Sequence, residues 1–312
     1  MKKFRFYLPS LILSVILVFL IIGSALAVVV KVNVTAEKSI SLSDRNGINN
    51  IIYQELEKYF SDQSNTTGIP SDVYMSAIDE EYIKNVTDMY TNALFASLKA
   101  YRKYFKDNSK EFHNIRVDIS DIAVTAEVPE NKSLENNITN FFNDYADSIN
   151  YEKDEAFNKK IQDTIDNSYK IIASHCDAYK YSTLQKHGVL AKISRVYSRI
   201  GIIAVAVTSV AVFFMLLLLL INRKNISVCL YWWGISSAVA GLFGTVPSVY
   251  LTSTGFFDSF IIKQPQVFKA FTGAMYGLTR AFMAVNIAVL LVGICLVIAY
   301  AVFGKVSSEK DN

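Results

Sequence analysis

Four stretches of this chain, 7–30, 200–221, 228–251 and 281–303, each run for more than twenty residues without one charged side chain. At ~1.5 Å of rise per residue each is long enough, as a helix, to cross the ~30 Å hydrocarbon core of a bilayer. In lipid every backbone N–H and C=O must be satisfied within the segment, so runs of this kind fold as helices. Four transmembrane helices are therefore expected. The polar chain between the first and second, 31–199, has the size of one ordinary domain. It holds 21 Lys/Arg and 25 Asp/Glu, a net of −4 within a chain of net +3. The expected fold is all-α: an N-terminal transmembrane anchor at 1–30, a mainly helical extracytoplasmic domain at 31–199 and a three-helix transmembrane region at 200–312.

The first run has a second reading. A basic start, an apolar run and the small residues Ala25 and Ala27 also fit a signal peptide. The run continues through Val28–Val30, which favours a retained anchor, and both readings put the domain on the same side. Orientation follows from basic residues near the span ends. Lys2, Lys3, Arg5, Arg223, Lys224, Lys305 and Lys310 crowd into three short segments totalling 19 residues. Their density places both termini in the cytoplasm and the domain outside, in a multi-pass protein of the cell membrane.

Within the domain, apolar residues recur with the 3.6-residue period of a buried helical face. One face is Ile48, Ile51, Ile52, Leu56, Tyr59 and Phe60. A second runs from Tyr82 to Phe105, with Asp79 as its cap and Glu80 and Glu81 at its positive end. Others are Leu134, Ile138, Phe141, Phe142, Tyr145, Ile149 and then Phe157, Ile161, Ile165, Tyr169, Ile172, Cys176, Tyr179. A last segment with Val189, Ile193, Val196 and Tyr197 enters the second span with no proline between, predicting one long helix. Residues 114–128 alternate apolar and polar and fit two short strands, or loop and helix, equally well.

Candidate chemistry is sparse. The three cysteines, Cys176, Cys229 and Cys295, leave the domain without an internal disulfide. His175, Cys176 and Asp177 are metal-ligand types in a row, but adjacent helical residues point about 100° apart and do not converge on one ion. No zinc spacing is present, so no metal or cofactor is expected. Asp79–Glu81 read as helix capping rather than as paired catalytic carboxylates. No catalytic residue is assigned.

Two patterns concern the membrane itself. Lys192, Arg195 and Arg199 share one helical ridge beside the second span, suited to anionic headgroups or wall polymer, or to a solvated flank. Arg280, near the start of the fourth span, has its stem directed toward the outer surface and reads as an interfacial charge with Asp258 as partner. Small residues recur at spacings of three and four: Gly234, Ser237, Gly241, Gly244 and Ser248 in the third span, and Gly273, Gly277, Ala281, Ala284 and Ala288 in the fourth. Such ridges let membrane helices approach closely. The third and fourth spans are expected to pair through them, and Asn286 to add an interhelical hydrogen bond. Trp232 and Trp233 are expected as interfacial anchors.

The stretches 68–95, GIPSDVYMSAIDEEYIKNVTDMYTNALF, and 116–122, RVDISDI, resemble an uncharacterised group of multi-pass membrane proteins from low-GC Gram-positive bacteria. The resemblance implies a bacterial envelope protein and brings no activity or site residues. The expected function is non-enzymatic: the outer domain binds a protein, lipid or wall ligand while the spans anchor it. The expected partners are membrane lipid and a protein or cell-wall polymer, with no nucleic acid. The alternative is a transporter or channel component with the outer domain as a cap.

Overall fold

A computed structural model of the chain describes residues 4–107, 124, 126, 128–223 and 226–310. It is all-α, with no strand among the described residues. The stretch 114–128, where strands or a helix were both open, lies almost wholly outside them. Four helices are long and apolar enough to cross a membrane: α1 (Phe4–Asn33), α9 (Val189–Ile221), α10 (Ile226–Ser253) and α11 (Pro265–Lys310). Between α1 and α9 the chain forms α2 (Ala36–Arg45), α3 (Ile48–Thr67), α4 (Ser71–Met75), α5 (Glu80–Asp107), α6 (Lys132–Ser148), α7 (Glu155–Cys176) and α8 (Tyr181–Lys186).

The chain divides into two compact units. The polar unit is Ala36–Arg195 together with Ile261–Gly273; the apolar unit is Met1–Thr35, Val196–Phe260 and Ala274–Asn312. The segment between α10 and α11 is thus divided between them, and the first turns of α11 belong to the polar unit.

The polar unit is a bundle built on the periodic faces. Ile48, Ile52 and Leu56 of α3, Ile83 and Val86 of α5, Leu134 and Ile138 of α6, and Ile172 of α7 are fully buried. Each such side chain contributes about 1.5–3 kcal/mol relative to exposure. The helix starts are capped where the sequence supplies an oxygen. Asp79 Oδ1 accepts from the Tyr82 amide at 2.7 Å, and Asp154 Oδ1 from the Phe157 amide at 2.8 Å. One expected face ends early, since Tyr145 and Ile149 are both more than half exposed. In the first turns of α9 the buried residues are Leu190, Ala191 and Ser194, while Ile193 and Val196 are exposed. Ser194 donates to the Leu98 carbonyl at 2.9 Å, so a small hydroxyl rather than a branched chain makes that contact.

In the apolar unit, Trp232 of α10 is buried with Leu17 of α1 and with Ala211 and Leu218 of α9. It is a core residue, not the interfacial anchor expected from sequence. Two polar contacts in these helices run between helices. Ser14 and Ser236 share a 2.5 Å hydrogen bond, and Asn222 Nδ2 donates to Ser10 Oγ at 3.1 Å.

Candidate functional site

Among its described residues the polar unit holds a cavity with the size and chemistry of a small-molecule site. Helix α3 ends at Gly68, whose backbone is left-handed (φ 73°) and whose amide closes on the Ser64 carbonyl. Glycine takes that conformation without the Cβ penalty. The chain then reverses, buries Ile69 and restarts at Pro70, which sets the extended entry to α4. The turn brings Tyr74 back onto Phe60, ring on ring, with centroids 4.2 Å apart and planes at 12°. Above this stack a cavity of about 400 Å³ opens between α3, α4, α6 and α7, within the range of ligand sites.

Its walls are mixed. Tyr59, Phe60, Tyr74 and Phe142 give aromatic surface, and Gln63, Thr66, Asn167 and Lys160 give polar groups. Tyr74 is 6% exposed. Burial, and then the neighbouring Tyr59 phenol, push its phenol up to about 12, so it stays a neutral hydrogen-bond donor. Thr164 Oγ1 and Ser168 Oγ donate to backbone carbonyls one turn back, at 2.8 and 2.7 Å. Their oxygens can still accept. The cavity is therefore an aromatic floor with neutral donors and acceptors around it and one ammonium at Lys160.

The row His175, Cys176 and Asp177 does not converge. His175 Nδ1 lies 2.9 Å from the Ile171 carbonyl, and its ring meets Tyr59 edge-on. Cys176 is fully buried, and that burial pushes its thiol up to about 12. Asp177 turns toward α8, where Oδ1 accepts from the Tyr181 amide at 2.6 Å and Oδ2 from the Ser182 amide at 2.9 Å. Among the described residues no three His, Cys, Asp or Glu side chains are grouped as for a metal ion.

Lys192, Arg195 and Arg199 are all exposed on α9. Arg280 is exposed too, but Asp258 accepts from the Tyr276 hydroxyl at 2.9 Å instead. On α10, Gly234, Gly241 and Gly244 are buried against α11, and Ser237 is buried on the same helix. A Cβ at Gly241 would stand 2.6 Å from the Leu290 backbone nitrogen, and one at Gly234 2.9 Å from that of Val297. The α11 residues they meet are thus Asn286, Leu290, Gly293 and Val297. With 3.6 residues per turn, Gly273, Gly277, Ala281, Ala284 and Ala288 lie on the opposite side of that helix. Ala284 and Ala288 are exposed, and Gly273 is met by the Asn46 side chain. Asn286 packs its amide against Gly244 and donates within its own helix to the Phe282 carbonyl at 2.8 Å.

The cavity and the Ser10, Ser14, Asn222 and Ser236 contacts were not singled out from sequence. The only signal for the cavity is two aromatics either side of a Gly-Ile-Pro turn. The serines show as isolated hydroxyls in otherwise aliphatic runs. Comparison of the chain with protein-family models, with curated proteins and with solved structures finds no match.

Proposed function

We propose that the protein is a non-enzymatic, multi-pass envelope membrane protein. Its polar unit lies outside the cytoplasm and binds a segment of cell-wall glycan in the α3–α4–α6–α7 cavity. The carrying observation is the wall chemistry of that cavity. The partly exposed rings of Tyr59 and Phe142 give the cavity apolar aromatic surface, which suits the C–H face of a sugar ring. The amides of Gln63 and Asn167 and the phenols of Tyr59 and Tyr74 suit hydroxyl and acetamido groups, and Lys160 suits a single carboxylate. Orientation rests on the basic density of the short segments, and the bacterial envelope on the sequence resemblance.

The test uses the full-length protein in detergent and the N-acetylglucosamine–N-acetylmuramic acid disaccharide. A ligand at about ten times its dissociation constant should raise the melting temperature by about 3 °C. The rise is expected for the parent and lost in Gln63→Ala and Asn167→Ala. No shift in the parent, or an equal shift in both variants, contradicts the glycan assignment.

Transport is the second reading. The observation that favours it is Asn286, fully buried in an apolar helix with an Oδ1 that has no hydrogen-bond partner. Intramembrane polar groups often mark a path. The close fit of the same amide over Gly244 accounts for it as packing, and the glycan reading is preferred.

A further inference from the structure

We propose that the apolar unit carries a site for one anionic phospholipid, with its acyl portion in a groove between α1 and α9 and its headgroup at Lys31. This inference rests on α1 and α9 crossing the bilayer and is independent of the glycan reading. The groove has a volume of about 500 Å³ and is walled by Val28 and Val32 of α1 and by residues from Ala204 to Val212 of α9. Eight residues of helix make it about 12 Å long. That is close to the ~15 Å depth of one leaflet's hydrocarbon, half of the ~30 Å core.

The lining selects the occupant. An apolar groove with one lysine among its lining residues complements an acyl chain beneath an anionic headgroup.

The polar end is built for an anion. Lys31 lies in the last turn of α1 and lines the groove. Its stem passes α9 at Gly201, where a Cβ would come 3.9 Å from Lys31 Cε. Just above, the Tyr197 hydroxyl donates to the Val34 carbonyl at 3.2 Å and ties the two helices together. Residues 1–35 and 196–257 contain no Asp or Glu, so no carboxylate on these segments neutralises Lys31.

Native mass spectrometry of the full-length protein tests the site, with phosphatidylglycerol and phosphatidylcholine of identical chains added in turn. The parent is expected to retain phosphatidylglycerol about fivefold more than phosphatidylcholine, the preference expected of one basic contact at a headgroup. Lys31→Gln, at an exposed position, should bring the ratio near one. Ser209→Phe, which places a ring in the groove from an exposed position, should lower retention of both lipids. Equal retention of the two lipids by the parent, a preference that survives Lys31→Gln, or retention untouched by Ser209→Phe each overturns the proposal.

Discussion

Asp88 stands half inside the polar unit, and its environment has a consequence for stability. Its Oδ1 is buried without a hydrogen-bond partner, while Oδ2 lies 4.0 Å from Lys84 Nζ, whose closer partner is Asp44 at 2.5 Å. Burial raises its carboxyl above the ordinary 3.8, and Lys84 offsets this only in part. A carboxyl raised in the folded state binds its proton more tightly there than in the unfolded chain. Its favourable contribution is therefore full below the ordinary value and is lost as pH rises through the raised one. Asp88→Asn is expected to melt higher than the parent at pH 7, with the gain shrinking to nothing below about pH 4; calorimetry across that range measures it. Cys176 gives a second residue-scale expectation. Buried, with a thiol pushed up to about 12, it should resist maleimide at pH 8 until the protein unfolds. Mass analysis in a Cys229→Ala, Cys295→Ala background reads this out, and rapid labelling of folded protein would contradict it. That His175 and Cys176 point apart was legible from helical phase alone. That Asp177 serves as a cap for α8 was not, because the short α8 has no periodic signal of its own.

At the scale of helices, the two kinds of sequence signal fared differently. Apolar period located α3, α5, α6 and α7 well, because burial of branched and aromatic residues leaves a 3.6-residue trace. Helix α2 went unrecognised: AEKSISLSDR buries a serine rather than a run of aliphatic residues. Small-residue spacing marked the buried side of α10 but not of α11. In α11 glycines and alanines occur on two sides, and spacing cannot say which side has a neighbour. Contact geometry can, and it moves the sensitive position to Gly241. Alanine there would force the Leu290 backbone away, at a cost of about 1–3 kcal/mol by overpacking. Gly241→Ala is expected to lower the thermal aggregation midpoint in detergent clearly, while Ala284→Leu, on the exposed side of α11, should match the parent. The reverse order would put the helix contact on the other ridge. A capping expectation belongs here too. Asn131 accepts from the Leu134 amide and also donates to the Ala77 carbonyl at 2.7 Å. Asn131→Ala should therefore cost more than the ~1 kcal/mol of a cap alone, measured as a melting shift against Asp154→Ala.

The whole molecule joins two physical regimes in one chain. Charge and mean hydropathy separated them from sequence at once, since 31–199 carries nearly all the acidic residues. What sequence did not reveal is that Ile261–Gly273, sixty-odd residues beyond the polar segment, packs as part of the same unit. Gln266, Ala270 and Thr272 are buried there with few apolar side chains to announce it. The central proposal is that the polar unit lies outside the cytoplasm and that the four long apolar helices span the membrane. It is tested most directly by labelling intact cells with a membrane-impermeant thiol reagent. Single cysteines are placed at Asn136, exposed on α6, and at Lys3, with the native cysteines changed to alanine. The account expects Asn136→Cys to react in intact cells and Lys3→Cys only after the membrane is opened. Labelling of Lys3→Cys in intact cells, with Asn136→Cys protected until lysis, would contradict it.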